Sequence, residues 1–174
     1  MNRAERWKPS VTVAAIVEHD GRFLLVEEQT PEGLKLNNPA GHLDPGESPQ
    51  QAVIRETLEE TARLFAPDAL LGVYLSRFLR PAAGDDVTYL RLAFRGAVGE
   101  PDAARRLDDG IVRTLWLSPG ELRACRERHR SPLVMRCIED HLAGRRFPLE
   151  LIATDASLFA PAVEHARPAC RHRD

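Results

Sequence analysis

The chain has 174 residues, 43% hydrophobic and 29% charged, with a formal net charge of -2. That length gives one domain with a sizeable core and excludes two comfortable ones. The near-neutral balance argues against a general nucleic-acid or membrane-surface binder, and no apolar run is long enough to cross a bilayer.

Residues 11–17 and 22–28 are β-rich runs flanking His19-Asp20-Gly21 and predict a hairpin. Glu27 and Glu28 are expected to be solvated charges at its end, before a polar turn at 30–33, with a supporting metal role as the alternative. Residues 34–40, LKLNNPA, then lead to Gly41 and bring Asn37, Asn38 and His42 to that approach. Beyond a helix that begins at about Pro49, Pro67 is expected to break the chain. Residues 69–79 predict a strand, 81–86 a turn and 87–98 the partner strand. Alternation in the second strand puts Tyr89, Arg91 and Ala93 on one face and Leu90, Leu92 and Phe94 on the other. If its face is the substrate side, Arg91 could fork onto a phosphate; otherwise it pairs a neighbouring carboxylate.

A charged linker at 100–110 precedes a strand at 111–117 that carries Trp116, and Ser118 begins a short helix. A last helix spans 131–143, with Leu133, Val134, Cys137, Ile138 and Leu142 on its apolar side, and ends at Gly144 and Pro148. The domain is expected to cover residues 1–152. Residues 153–174 read as a flexible tail, with Cys170 and His172 forming no metal site. Three cysteines without metal-site spacing, and an opening MNRAERWKPS without an apolar signal region, point to a reduced cytoplasm.

The most informative stretch is GHLDPGESPQQAVIRETLEETARL, residues 41–64. Ser48, Pro49 and Gln51 form a helix start with a capping box. At about 100° per residue, Glu56, Glu59 and Glu60 share one face, opposite Ile54, Thr57, Leu58 and Thr61. The threonine-bearing face is expected to be buried, its hydroxyls bonded to the preceding turn, with the glutamates looking outward. Like charges four apart conflict, and no basic residue lies at the centre of the cluster. A hard divalent cation, Mg²⁺ or Mn²⁺, would remove the conflict, with Glu56, Glu59 and Glu60 as ligands.

The order Gly41, Glu47, Arg55-Glu56, Glu59-Glu60 resembles the Nudix box. The resemblance implies an α/β (α+β) fold, an α/β/α sandwich with a mixed central sheet, whose box helix binds Mg²⁺ across a diphosphate. It implies that Glu47 and Arg55 are a supporting pair, and that Glu56 is a metal ligand and, in some members, the base that activates water. A further acidic ligand is implied downstream, with Asp109, Asp108 and Glu121 as candidates. Thr57, Ala62 and Arg63 depart from the pattern. Alanine in place of the usual glycine predicts a shifted helix end, with Leu64 taking the apolar role.

Beyond the box, WKPSVTVAAIVE, NNPAGHLDPGES, RSPLV and FPLELI together resemble the bacterial NudJ phosphatase branch over roughly residues 7–152. That likeness implies phosphate release from nucleoside tri- and diphosphates and from a pyrimidine pyrophosphate of thiamine synthesis. The partner is then a small phosphorylated molecule bound through Arg91, His42 and Asn38, by a monomer or homodimer. Nucleic acid is disfavoured: the one rival basic stretch, 123–130, reads as a solvated helix face. A nucleotide pyrophosphohydrolase, an RNA 5′-end pyrophosphohydrolase and a silent nucleotide sensor are the alternatives.

Overall fold

The computed structural model describes residues 7–80 and 84–160, with only the backbone of Arg80 and Asp85. β1 (Ser10–His19) and β2 (Arg22–Thr30) turn at Asp20 and Gly21, whose φ values of 49° and 74° are the left-handed pair a tight hairpin needs. The two strands pair only beside that turn, at Glu18–Phe23 and His19–Arg22, and then diverge. β1 continues antiparallel to β4 (Ala40–His42) and parallel to β6 (Asp85–Val98), which pairs with the edge strand β5 (Phe65–Arg80). β2 continues between β3 (Gly33–Asn37) and β7 (Ile111–Leu117). The forked hairpin therefore carries two wings of one mixed sheet.

Alternation along β1 sorts the core. Val13, Ala15 and Val17 pack with Leu24, Phe94 and the α1 (Pro49–Thr61) residues Ala52 and Val53. Ala14 and Ile16 pack on the other face with Phe23, Ala93, Leu122 of α2 (Pro119–Ala124) and Val134, Cys137 and Ile138 of α3 (Leu133–Leu142). This is the expected α/β/α sandwich. Among the described residues no helix is long and apolar enough to cross a membrane.

Several local expectations are corrected. Pro67 does not break the chain; it lies within β5 at a register shift, on an edge strand where its missing N–H costs little. The end of α1 is not displaced: Ala62 itself adopts the left-handed conformation at φ 54° and ψ 24°. Leu64 is 64% exposed, and Phe65, at 2%, fills the core instead. Arg63 donates to the Gly99 carbonyl at 2.8 Å and lies over the Trp116 ring.

In α3, Leu142 is half exposed while Met135 and Asp140 are buried. Asp140 is satisfied there by the Tyr74 hydroxyl at 3.0 Å and the Arg136 guanidinium at 3.1 Å. Leu149 and Ile152 pack on the core, and a short 3₁₀ turn follows at Ala156–Phe159. Cys170 and His172 lie outside the described residues.

Candidate active site

Helix α1 starts as its sequence dictates. Ser48 Oγ accepts from the Gln51 amide at 3.2 Å, the Gln51 side chain accepts from the Ser48 amide at 2.8 Å, and Pro49 occupies the first turn. The Thr57 and Thr61 hydroxyls donate to the Val53 and Thr57 carbonyls at 2.7 and 2.6 Å, which makes their buried face tolerable.

The opposite face does not look outward as expected, because β4 lies across it. A Cβ at Gly41 would fall 2.0 Å from the Glu56 carboxyl carbon, so only glycine admits that carboxylate. Glu56 is 9% exposed, and Glu60 is tucked in so that its Oε2 accepts from the Ala40 amide at 2.8 Å. Nor is the cluster without a basic residue. Arg55 Nη1 donates to Glu56 Oε1 at 2.8 Å and Glu59 Oε2 at 3.0 Å, while Nε and Nη2 fork onto Glu47 at 3.0 and 2.7 Å. Nη2 also donates to the His42 carbonyl at 3.0 Å.

These contacts divide the glutamates. Hydrogen bonding to Arg55 holds the Glu47 carboxyl below its usual range. Burial pushes Glu56 up, although Arg55 opposes it, and pushes Glu60 up to about 8, with the Glu56, Glu28 and Asp108 charges adding to the effect. Of the three downstream candidates, Asp108 lies beside the cluster: its amide donates to the Glu59 carbonyl at 3.0 Å, and its charge acts on Glu56 and Glu60. Glu121 is engaged elsewhere: its side chain accepts from Ser118 and from Arg22.

Among the described residues no three His, Cys, Asp or Glu side chains form a ready metal cluster. Arg55 engages Glu56 and Glu59, and the Ala40 amide engages Glu60. The donor chemistry nevertheless fits a hard divalent cation. All the candidate donors are carboxylate oxygens, and two of them are held where losing a proton is unfavourable unless positive charge is supplied.

A cleft of about 760 Å³ opens on the α3 side of β4. Ala40, Gly41 and His42 form its near wall, Arg91 and Glu28 its floor, and Arg126, Arg130 and Leu133 its far wall. His42 stands against the Tyr89 ring at 6.3 Å. Arg91 faces the cleft as alternation implied and is only 8% exposed. Asn38 is buried behind the wall, and its neighbour Asn37 lines the cleft instead.

Glu27 is not the solvated charge expected. It is 2% exposed and ion-paired with Arg113 at 2.7 Å and with Arg128, which hold it below the usual carboxylate range. That pairing fastens the 126–130 segment to the sheet, helped by the Arg130 amide on the Leu36 carbonyl at 2.8 Å. The basic stretch is therefore a cleft wall, whose cationic groups the sequence assigned to solvent. Glu28, Asn37 and His129 also reach the cleft without having been singled out as binding groups. Of these, only Asn37 lies in one of the motif stretches, NNPAGHL; nothing in the sequence pointed to Glu28 or His129.

An acidic helix face closed over by a glycine strand lies at the mouth of a cleft with cationic walls, an arrangement suited to phosphoanhydride chemistry. The NUDIX domain sequence model matches residues 6–137, and the chain belongs to that family. It is similar to phosphatase NudJ of Escherichia coli K12, 34% identical over 146 residues that cover 84% of this chain and 92% of that protein. Among solved structures, a NUDIX hydrolase from Nitrosomonas europaea is 51% identical and superposes with a TM-score of 0.77 over 85% of this chain and 98% of its own. A MutT NUDIX hydrolase from Burkholderia pseudomallei, 24% identical with a TM-score of 0.61 over 77% of this chain and 98% of its own, shares the fold.

Proposed function

We propose that this chain is a Mg²⁺-dependent phosphatase of nucleoside tri- and diphosphates that releases orthophosphate, with Mn²⁺ as a substitute ion. A pyrimidine pyrophosphate of thiamine synthesis is a further substrate in this reading. The observation that carries it is the junction at Gly41. On one side are Glu56, buried, and Glu60, partly buried, whose ionised forms burial disfavours; on the other a cleft opens onto Arg91, Arg126 and Arg130. Likeness to NudJ, a phosphatase by name, supports the choice of product.

Glu56, Glu59 and Glu60 would hold the ion, with Asp108 nearby and Asp109 beside it. When bound, it would neutralise the phosphate oxygens and acidify a water. The chain's own residues do the rest. Glu56 Oε accepts the proton of the attacking water, and Arg55 positions that carboxylate while Glu47 anchors Arg55. The cationic wall draws the polyphosphate into the cleft, and His42 and Tyr89 border the path beside the strand.

The test is direct detection of orthophosphate and pyrophosphate from triphosphates, diphosphates and the pyrimidine pyrophosphate, with Mg²⁺ present or chelated. Mg²⁺-dependent orthophosphate from both tri- and diphosphates is expected. Pyrophosphate with a monophosphate would make the chain a pyrophosphohydrolase instead. Preference for triphosphorylated RNA would bring the Arg126 and Arg130 wall into a polymer-tracking role.

A further inference from the structure

The floor of the cleft holds a group of polar atoms that make no hydrogen bond within the protein, although one of them, Glu28 Oε1, lies 3.6 Å from the Arg130 guanidinium. Thr12 Oγ1, Glu28 Oε1, Asn37 Oδ1, Arg91 Nη1 and His129 Nε2 are all buried, all belong to cleft-lining residues, and none has a hydrogen-bond partner in the protein. Thr12, Asn37 and Arg91 are each more than nine-tenths buried. The atoms form one patch. Thr12 and Arg91 are cross-strand neighbours on β1 and β6, Glu28 lies close enough to act on the charge of Arg91, and the Asn37 side chain bonds Glu28. Buried polar groups are normally satisfied, so such a concentration marks a place where a ligand completes the bonding.

The chemistry of the patch is not that of a phosphate site. Phosphate oxygens only accept hydrogen bonds, yet Glu28 Oε1 and Asn37 Oδ1 also only accept. His129 joins them: burial keeps it neutral, and its bond to the Leu122 backbone carbonyl uses the ring N–H and leaves Nε2 as an acceptor. Three acceptors therefore stand beside two guanidinium groups: Arg91, whose Nη1 is unbonded, and Arg130, whose Nε lies 3.6 Å from Glu28 Oε1 without a hydrogen bond to it. A partner that brings N–H groups next to an acceptor satisfies them, and the Tyr89 ring and Leu133 give the same cleft apolar surface for its body.

We infer that the Thr12–Glu28–Asn37–Arg91–His129 patch reads the non-phosphate part of the substrate, and that it selects a nitrogen heterocycle carrying an exocyclic amine. The amine faces Glu28 and Asn37, and a ring nitrogen or carbonyl faces Arg91. This rests on the phosphatase reading for the orientation of the substrate, with its phosphates toward Gly41 and its ring toward the cleft floor. A cleft of about 760 Å³ has room for both. Glu28 is then a specificity residue and not a strand-end charge.

The test compares nucleoside diphosphates that differ by the amine alone: guanosine against inosine, and cytidine against the pyrimidin-2-one riboside. Dissociation constants and kcat/KM are measured for each with Mg²⁺. Loss of the amine is expected to weaken binding and kcat/KM by about tenfold or more in at least one pair. In Glu28→Met that ratio collapses towards one, while Glu28→Gln, which retains a carbonyl acceptor, keeps part of it. Asn37→Leu gives an independent reduction of the same ratio should Glu28→Met fail to fold. Equal affinity and equal kcat/KM within both pairs would overturn the inference whatever the turnover. An amine-dependent affinity without hydrolysis would uphold it and remove the phosphatase reading alone.

Discussion

Glu27 and Glu60 are carboxylates drawn away from water, and the fold treats them in opposite ways. Glu27 is met by two guanidinium groups, from Arg113 and Arg128, and its affinity for protons falls. Glu60 is met by one backbone amide and by the charges of Glu56, Glu28 and Asp108, and its pKa rises to about 8. The first carboxylate is stabilised in its ionised form, and the second is held where ionisation is unfavourable. Burial alone does not distinguish a structural acid from a functional one; the partner count does.

The largest expected effect comes from removing the incomplete charge. Glu60→Gln should lower Mg²⁺-dependent turnover by roughly a hundredfold or more, because both ion binding and transition-state stabilisation lose a ligand. In metal-free protein the same substitution should stabilise. A folded pKa raised from 4.5 to about 8 means that ionised Glu60 costs stability, increasingly between those values and fully above the higher one. Thermal melts in chelator should therefore show Glu60→Gln above wild type at pH 8, with the difference closing towards pH 4.5.

Gly41→Ala places a methyl where the Glu56 carboxyl sits and should cost about tenfold or more in kcat by displacing a reacting group. Normal kcat in that variant would remove Glu56 from its assigned place. Glu27→Gln should behave in the contrary way, costing about 1–2 kcal/mol of stability at neutral pH through lost charge-assisted bonds. Because the folded pKa of Glu27 lies below 4.5, its contribution is present above that value and lost as pH falls through the folded pKa. Denaturant midpoints of the two proteins should converge in acid. The smallest effect is expected at the helix end, where Ala62→Gly relieves a left-handed alanine and should add up to about 1 kcal/mol.

Features written into neighbouring residues were legible in the sequence. The Ser48–Gln51 capping box, the Asp20-Gly21 turn and the alternation through Arg91 depend on spacings of a few residues, and each is present. The glutamates of α1 were legible as a cluster, and their orientation was not. Whether that face meets water depends on β4, a strand more than a dozen residues upstream that lies across the helix. Glu27 was misplaced for the same reason, since its partners Arg113 and Arg128 follow it by 86 and 101 positions. Ala62 shows the complementary failure: steric preference argued for a shifted end, and packing imposed the turn on the residue present.

The most direct test is proton release on ion binding, measured by calorimetric titration of Mg²⁺ or Mn²⁺ into wild type and Glu60→Gln in buffers of different ionisation enthalpy at pH 7.5. With Glu60 mostly protonated before binding, wild type should release protons, less so as pH rises past 8, and Glu60→Gln should bind more weakly and release far fewer. Binding without proton release in wild type, or identical release from both proteins, would contradict the claim that Glu60 is held ready for a cation.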